Sequence, residues 1–298
     1  EGYFLNYVDE QKVFTKQNNE NLADSNGRAI WALGYLISIS DLLPDEMIVL
    51  AHKTLKLALS NVHKIHSPRA MAFIIKGIYY SQEHINSFEN SLIVKHLADR
   101  LVQMYKHESD KNWLWFESYL TYGNSILPEA MLCAYKVENN PVYKEIALSS
   151  FDFLLSKIFT ENTIHVISNK GWLQNNKGIT AKVGGEQPID VAYTIMALGK
   201  FYDVFENPDY LKKMEIGFSW FLGNNHLHQI VYNPCTGGCY DGLEADYINL
   251  NQGAESTVSY LMARLTLDQY FITEVKKAQP KANFSRKLNL KKTILYKV

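Results

Sequence analysis

An all-α ring of helical hairpins is the fold this chain predicts, and three observations predict it. Prolines mark helix starts: Pro44, Pro68, Pro128, Pro141, Pro188 and Pro208 stand just before or inside the start of apolar periodic runs, where a missing N–H costs a helix nothing. The segments "YKVENNPVYKEIALSSFDFLL" (135–155) and "YDVFENPDYLKKMEIGFSWFL" (202–222) share Tyr, Val, Asn-Pro, Tyr, Phe and Leu in one register 67 residues apart, an internal repeat of a helical hairpin. Alternate helices follow long segments rich in Gly, Trp and acids, whereas the helices between them follow short, plain turns. One end of one set of helices is therefore decorated, which favours a closed toroid over a superhelical solenoid of uniform repeats.

Apolar periodicity places amphipathic helices near 27–39, 45–64, 68–82, 87–106, 125–137, 141–158, 188–205, 208–222 and 253–271. Strand signals are few. "TIHVIS" (163–168) before "NKGWLQ" predicts a small β-hairpin inserted between two helix pairs. The toroid is read as one domain over 1–272, either complete or short of helices at its N-terminal side, with a basic tail over 273–298.

The 298 residues are 47% apolar, enough for a sizeable core. Thirty basic against 31 acidic residues give a net charge of -1, so no global field recruits nucleic acid or an anionic membrane. No apolar run reaches the roughly 18 residues of a spanning helix, so no membrane insertion is expected. Cys133, Cys235 and Cys239 form an odd set, too few for a disulfide scaffold, and fit a reducing, cytoplasmic setting. Nineteen tyrosines and 5 tryptophans supply flat faces with polar edges, equipment for sugar rings as well as core filler.

Five segments carry a resemblance: "DSNGRAIWALGYL" (24–36), "SPRAMAFIIKG" (67–77), "NWLWFESYLTYGNSILPEAML" (112–132), "EQPIDVAYTIMAL" (186–198) and "CYDGLEADYINLNQGAESTVSYLMA" (239–263). Together they resemble the (α/α)6-toroid proteins of the six-hairpin glycosidase superfamily, most of all bacterial members found in glycan-processing or glycosyltransferase contexts. The resemblance spans about residues 20–270. It implies a cup with a carbohydrate site at the decorated mouth, an oligosaccharide or glycoconjugate as ligand, and a glycosyltransferase as a candidate partner. It leaves the reaction open, because that superfamily contains hydrolases, lyases, phosphorylases and epimerase-like relatives.

Glycoside cleavage needs two carboxyl groups, one protonated to assist departure and one ionised to activate water or attack carbon. Glu117 stands among Trp113, Trp115, Phe116, Tyr119 and Tyr122; an apolar wall raises a carboxyl pKa, so Glu117 is the expected acid. Asp190, in the first turn after "GGEQP", or Asp241 is the expected base, with Glu186 and Gln187 beside the same helix start. Those residues also read as a capping box. Asp24, Arg28 and Glu255 are expected to organise sugar hydroxyls, although Asp24 also reads as a plain N-cap. Trp31, Trp113, Trp115, Tyr122, Trp172 and Tyr240 offer stacking or edge contacts, and Asn251 and Gln252 offer amides for hydroxyls. In the repeat register Gly123 falls where Asp190 stands, which leaves a non-catalytic glycan-binding protein as an alternative.

His226 and His228 suit proton abstraction and return in a sugar epimerase, a further alternative; their i, i+2 spacing lets only one face a ligand. Asp241, Glu244, Asp246 and Glu255 lack the alternating ligand pattern of a calcium loop. Cys235 and Cys239 lack a second Cys/His pair at zinc spacing, although His226 and His228 lie nearby. No metal and no cofactor is expected.

Overall fold

The computed structural model describes residues 2–15, 21–85, 87–175 and 183–278. Nine α-helices lie among them: α1 (Ala23–Ser38), α2 (Asp45–Leu59), α3 (Pro68–Ser81), α4 (Phe88–Glu108), α5 (Ile126–Glu138), α6 (Pro141–Ile158), α7 (Pro188–Phe205), α8 (Pro208–Ser219) and α9 (Ala254–Ala278). Each expected helix is present, within a few residues at either end. The last continues past the expected domain boundary, and 279–298 lie outside the described residues.

The repeat in the sequence is a repeat in space. Asn139 and Glu206 end α5 and α7 with a left-handed φ of 52° each. Asn140 and Asn207 then cap α6 and α8, each side chain accepting a backbone N–H two residues on at 3.0 Å. Pro141 and Pro208 follow at the first helical position. A left-handed stop, an Asx cap and a proline restart turn the chain through the same tight angle twice.

Helices α1, α3, α5, α7 and α9 pack as successive neighbours, and α2, α4, α6 and α8 pack outside them. Burial follows this layering. Helix α3 is buried on nearly every face from Arg69 to Ile78, and α5 and α7 are similar, as expected of helices enclosed by neighbours. α1 and α3 approach closest because three glycines remove the side chains between them. A Cβ on Gly34 would stand 1.9 Å from the Gly77 carbonyl oxygen, and one on Gly77 would stand 2.5 Å from that of Ile30. Between the same helices and α5, Lys76 and Glu129 form a fully buried ion pair at 2.7 Å, with the Lys76 ammonium 4.1 Å above the Trp31 ring.

The β-structure corrects one expectation. Residues 163–168 do not pair with the "NKGWLQ" segment: Ile164 bridges back to Phe159, while β2 (Leu173–Gln174) pairs with β1 (Tyr119–Leu120). A hairpin within 163–174 would leave the loop before α5 unsupported. The observed pairing ties that loop to the one before α7. The two local hairpins lie further on, β3 (Tyr232–Asn233) with β4 (Gly238–Cys239) and β5 (Gly242–Leu243) with β6 (Ile248–Asn249). Val8 and Phe14 form a bridge near the N-terminus. No helix of the described residues is long and apolar enough to cross a membrane.

The α1–α3 approach makes a direct prediction. Gly34→Ala forces apart two backbones that have no rotamer with which to yield, so it should cost about 1–3 kcal/mol or more. Urea denaturation followed by circular dichroism measures this; an unchanged midpoint would show that the helices do not pack at this distance.

Candidate functional site

The first turns of the inner helices meet at one end of the ring, and their side chains form a connected polar network. Ser67, the N-cap of α3, donates to Asp24 Oδ1 at 2.8 Å, and Tyr122 donates its phenol to Asp24 Oδ2. Asp24 therefore has both oxygens engaged. Arg28, one turn along α1, donates to Tyr193 Oη of α7 and lies 4.8 Å from the Phe73 ring centroid.

Arg69, in the first turn of α3, is the hub. Its Nη1 donates to both oxygens of Glu117 at 3.1 and 2.9 Å, and its Nε donates to the Tyr122 carbonyl at 2.6 Å. Glu117 and Arg69 are both buried. A guanidinium facing both carboxylate oxygens forms a buried, doubly hydrogen-bonded ion pair, and removing either partner would leave the other charge buried alone. The aromatic wall that made Glu117 the expected acid is present, but the partner within it is a cation contributed from 48 residues upstream.

Asp190 has the properties expected of Glu117. It is buried in the first turn of α7, its Oδ1 accepts the Gly123 N–H at 2.5 Å, and burial pushes its carboxyl up to about 7. The Gly123 N–H, Arg69 and Arg28 pull the other way without overcoming burial, and the Glu255 carboxylate adds to the upward push. Gly123 has a left-handed φ of 57°, and a Cβ there would meet nothing nearer than the Tyr193 ring at 3.9 Å.

A cavity of about 300 Å³ lies where the approaches to α7 and α9 meet, lined among others by Glu186, Gln187, Asp241, Glu244, Glu255 and Ser256. Glu255 is exposed and makes no hydrogen bond or ion pair among the described residues. Asp241 is fully engaged: Asn251 Nδ2, Ser256 Oγ (2.7 Å) and Gly253 N (2.8 Å) donate to it. Burial pushes its pKa up, but those three donors outweigh it and hold the carboxyl below its usual value. Asp241 and Asn251 thus secure the entry to α9. Gln252 accepts from Thr236 Oγ1 at 2.7 Å, and Tyr240 Oη accepts from Asn233 Nδ2 at 2.9 Å, so both support the β3–β4 hairpin.

The aromatic expectations divide. Trp172 is 45% exposed and stacks on Tyr119 at 5.3 Å, and Tyr122 is also exposed. Trp113 and Trp115 are core residues and offer no platform. Trp113 donates its indole N–H to the Glu117 carbonyl at 2.7 Å, and both rings pack on Phe153. Trp31 is likewise enclosed, between Phe73, Tyr193 and Lys76. His228 is exposed in a turn at φ 51°. His226 turns inward: Nε2 lies 2.8 Å from the Glu244 carbonyl, and Nδ1 lies 3.3 Å from Glu186 Oε1. Sequence reasoning missed Arg69, His165 and Tyr193. Arg69 alone had a local signal, its place directly after the Ser67-Pro68 helix start.

No family model and no curated protein matches the chain. Solved structures do. A GH76 α-mannanase from Bacteroides thetaiotaomicron superposes with a TM-score of 0.62 at 9% identity, over 85% of this chain and 70% of that one. A sugar epimerase from a ruminal bacterium gives 0.62 at 12% identity, over 92% and 78%. An unsaturated glucuronyl hydrolase specific for heparin gives 0.55 at 13%, over 93% and 92%. These are six-hairpin (α/α)6-toroid folds, and this chain has that fold.

Asp190 also predicts a pH dependence of stability. Its folded pKa of about 7 lies above the ordinary 3.8, so the folded state holds this proton more tightly than the unfolded chain does. Stability from this group is therefore greatest below about pH 4, falls by roughly 1.4 kcal/mol per pH unit as pH rises towards 7, and then levels. Asp190→Asn should flatten that slope between pH 4 and 7 in denaturant titrations; an equal slope in wild type and variant would show that Asp190 is ionised throughout.

Proposed function

We propose that this protein is a carbohydrate-active enzyme that hydrolyses a glycosidic bond at the mouth of the toroid. The observation that carries the reading is Asp190, a buried carboxyl in the first turn of α7 whose pKa near 7 matches a general acid working at neutral pH, within electrostatic reach of the exposed Glu255 carboxylate. The roles expected of the two carboxyls exchange. Asp190 protonates the leaving glycosidic oxygen, and Glu255, whose oxygens are uncommitted, activates water or attacks the anomeric carbon. Glu117 is committed to Arg69 and keeps the loop before α5 in place. Asp24, Arg28 and Tyr122 present donors and acceptors to sugar hydroxyls, and Trp172 supplies a stacking face.

The solved relatives support the substrate class and not the reaction, since they include a D-mannose isomerase and a sugar epimerase beside two hydrolases. The epimerase reading has one supporting observation, the inward-facing His226. Both of its ring nitrogens already face protein atoms, Glu244 O and Glu186 Oε1, which favours hydrolysis. Gly123 keeps a backbone donor on Asp190, so the missing side chain does not by itself argue for a non-catalytic glycan binder or a glycosyltransferase partner.

The test is turnover on a panel of manno-, gluco- and N-acetylated oligosaccharides, with free mannose and glucose assayed for isomerisation. Asp190→Asn should lower kcat by about 10²–10⁴ and remove an alkaline limb near pH 7, the magnitude of a lost general acid. Glu117→Gln should lower activity and stability together. Hydrolysis undiminished in Asp190→Asn would remove that residue from the acid role, and isomerisation abolished by His226→Ala would replace hydrolysis with the epimerase reading.

A further inference from the structure

We propose that His165, Glu186 and His226 bind one zinc-type divalent ion that clasps together three segments of the mouth. The ligand atoms of these residues all lie within 4.8 Å of one another. His226 Nδ1 is 3.3 Å and His165 Nδ1 3.6 Å from Glu186 Oε1. Those separations are too long for charge-assisted hydrogen bonds, which close to about 2.7–2.9 Å. They match the ligand spacing of a tetrahedral zinc site: donors about 2.0–2.1 Å from the metal lie about 3.4 Å apart.

The surrounding groups leave the right atoms facing inward. A carbonyl only accepts, so the 2.8 Å contact with the Glu244 carbonyl places the His226 proton on Nε2 and leaves a lone pair on Nδ1. Nδ1 is buried and has no hydrogen-bond partner. In the neutral imidazole that lone pair faces a carboxylate oxygen, a repulsive pairing that a cation between the two turns into an attraction. Glu186 is held by its other oxygen, which accepts the buried Trp220 indole N–H at 2.8 Å. His165 Nε2 lies 3.2 Å from Thr163 Oγ1. Each ligand thus has its own orienting partner, the support metal-binding side chains need.

Two imidazoles and one carboxylate suit zinc or a similar transition ion, whereas calcium and magnesium prefer sets of oxygens alone. Three protein ligands leave a fourth position for water, reached from the side of His165, whose side chain is 43% exposed. Glu186 lies four residues before Asp190, and its backbone is bridged to Leu243. The ion fixes the approach to α7 against the 163–168 segment and the turn after α8.

The experiment uses the full chain, treated with chelator, dialysed and titrated with zinc alone by calorimetry in a Cys235→Ser background that removes the exposed thiol. One equivalent is expected to bind, with affinity lowered at least about 100-fold in His226→Ala and His165→Ala, and cobalt in place of zinc should give the visible absorption of a tetrahedral site. His165 is partly exposed, so its replacement is decisive even if Glu186→Gln or His226→Ala unfolds. No binding, or binding that both histidine variants retain, overturns the proposal. None of these measurements needs substrate, so they stand or fall independently of hydrolysis.

Discussion

The mouth depends on one buried ion pair, Arg69 with Glu117. Both residues are almost entirely removed from water, and taking either charge there alone would cost several kcal/mol. Together they satisfy each other through two contacts while Arg69 also holds the Tyr122 carbonyl. This fixes the backbone over 117–122. From that backbone follow the reach of Tyr122 to Asp24 and the aim of the Gly123 N–H at Asp190. A well-packed apolar pair could stabilise the fold as well or better. What it could not do is set a loop carbonyl, a phenol and an amide donor around a cup.

The same pair divides the electrostatics of the site. Glu117 takes the buried cation at short range. Asp190 is left with a backbone N–H, a more distant influence of Arg69 and Arg28, and full burial, and burial is the largest of these effects. Two carboxyls from adjacent parts of the mouth thus acquire different partners, one paired with a guanidinium, one buried and ready to hold a proton. The difference arises from burial and from which carboxyl the Arg69 guanidinium touches. The carboxyls themselves are chemically alike.

The helices were legible in the sequence because their signals are local. A proline restart after an asparagine cap reads the same wherever it occurs, which is why the hairpins at 139–141 and 206–208 could be matched from letters alone. The site was legible only as an inventory. Asp190, Asp24 and Glu255 could be named because acids in helix first turns stand out. Their roles depend on contacts 48 to 98 residues apart, Arg69 with Glu117 and Tyr122 with Asp24, and no periodicity encodes those. Trp113 and Trp115 failed for a related reason: composition cannot tell a stacking face from core filler, and Phe153 on α6 decides the matter. The β1–β2 pairing between two distant loops was likewise beyond local pattern.

Gly123 shows how the repeat and the site fit together. It stands 67 residues before Asp190, at the same place in the repeated unit, so the two loops present equivalent positions to each other across the α5–α7 boundary. An acid at both places would bring two carboxyls into contact and raise the cost of ionising both. With glycine there, the left-handed backbone that other residues resist is accommodated, the amide N–H reaches Asp190, and the volume a side chain would fill stays free. One member of the repeat carries the acid. The other supplies its hydrogen-bond donor.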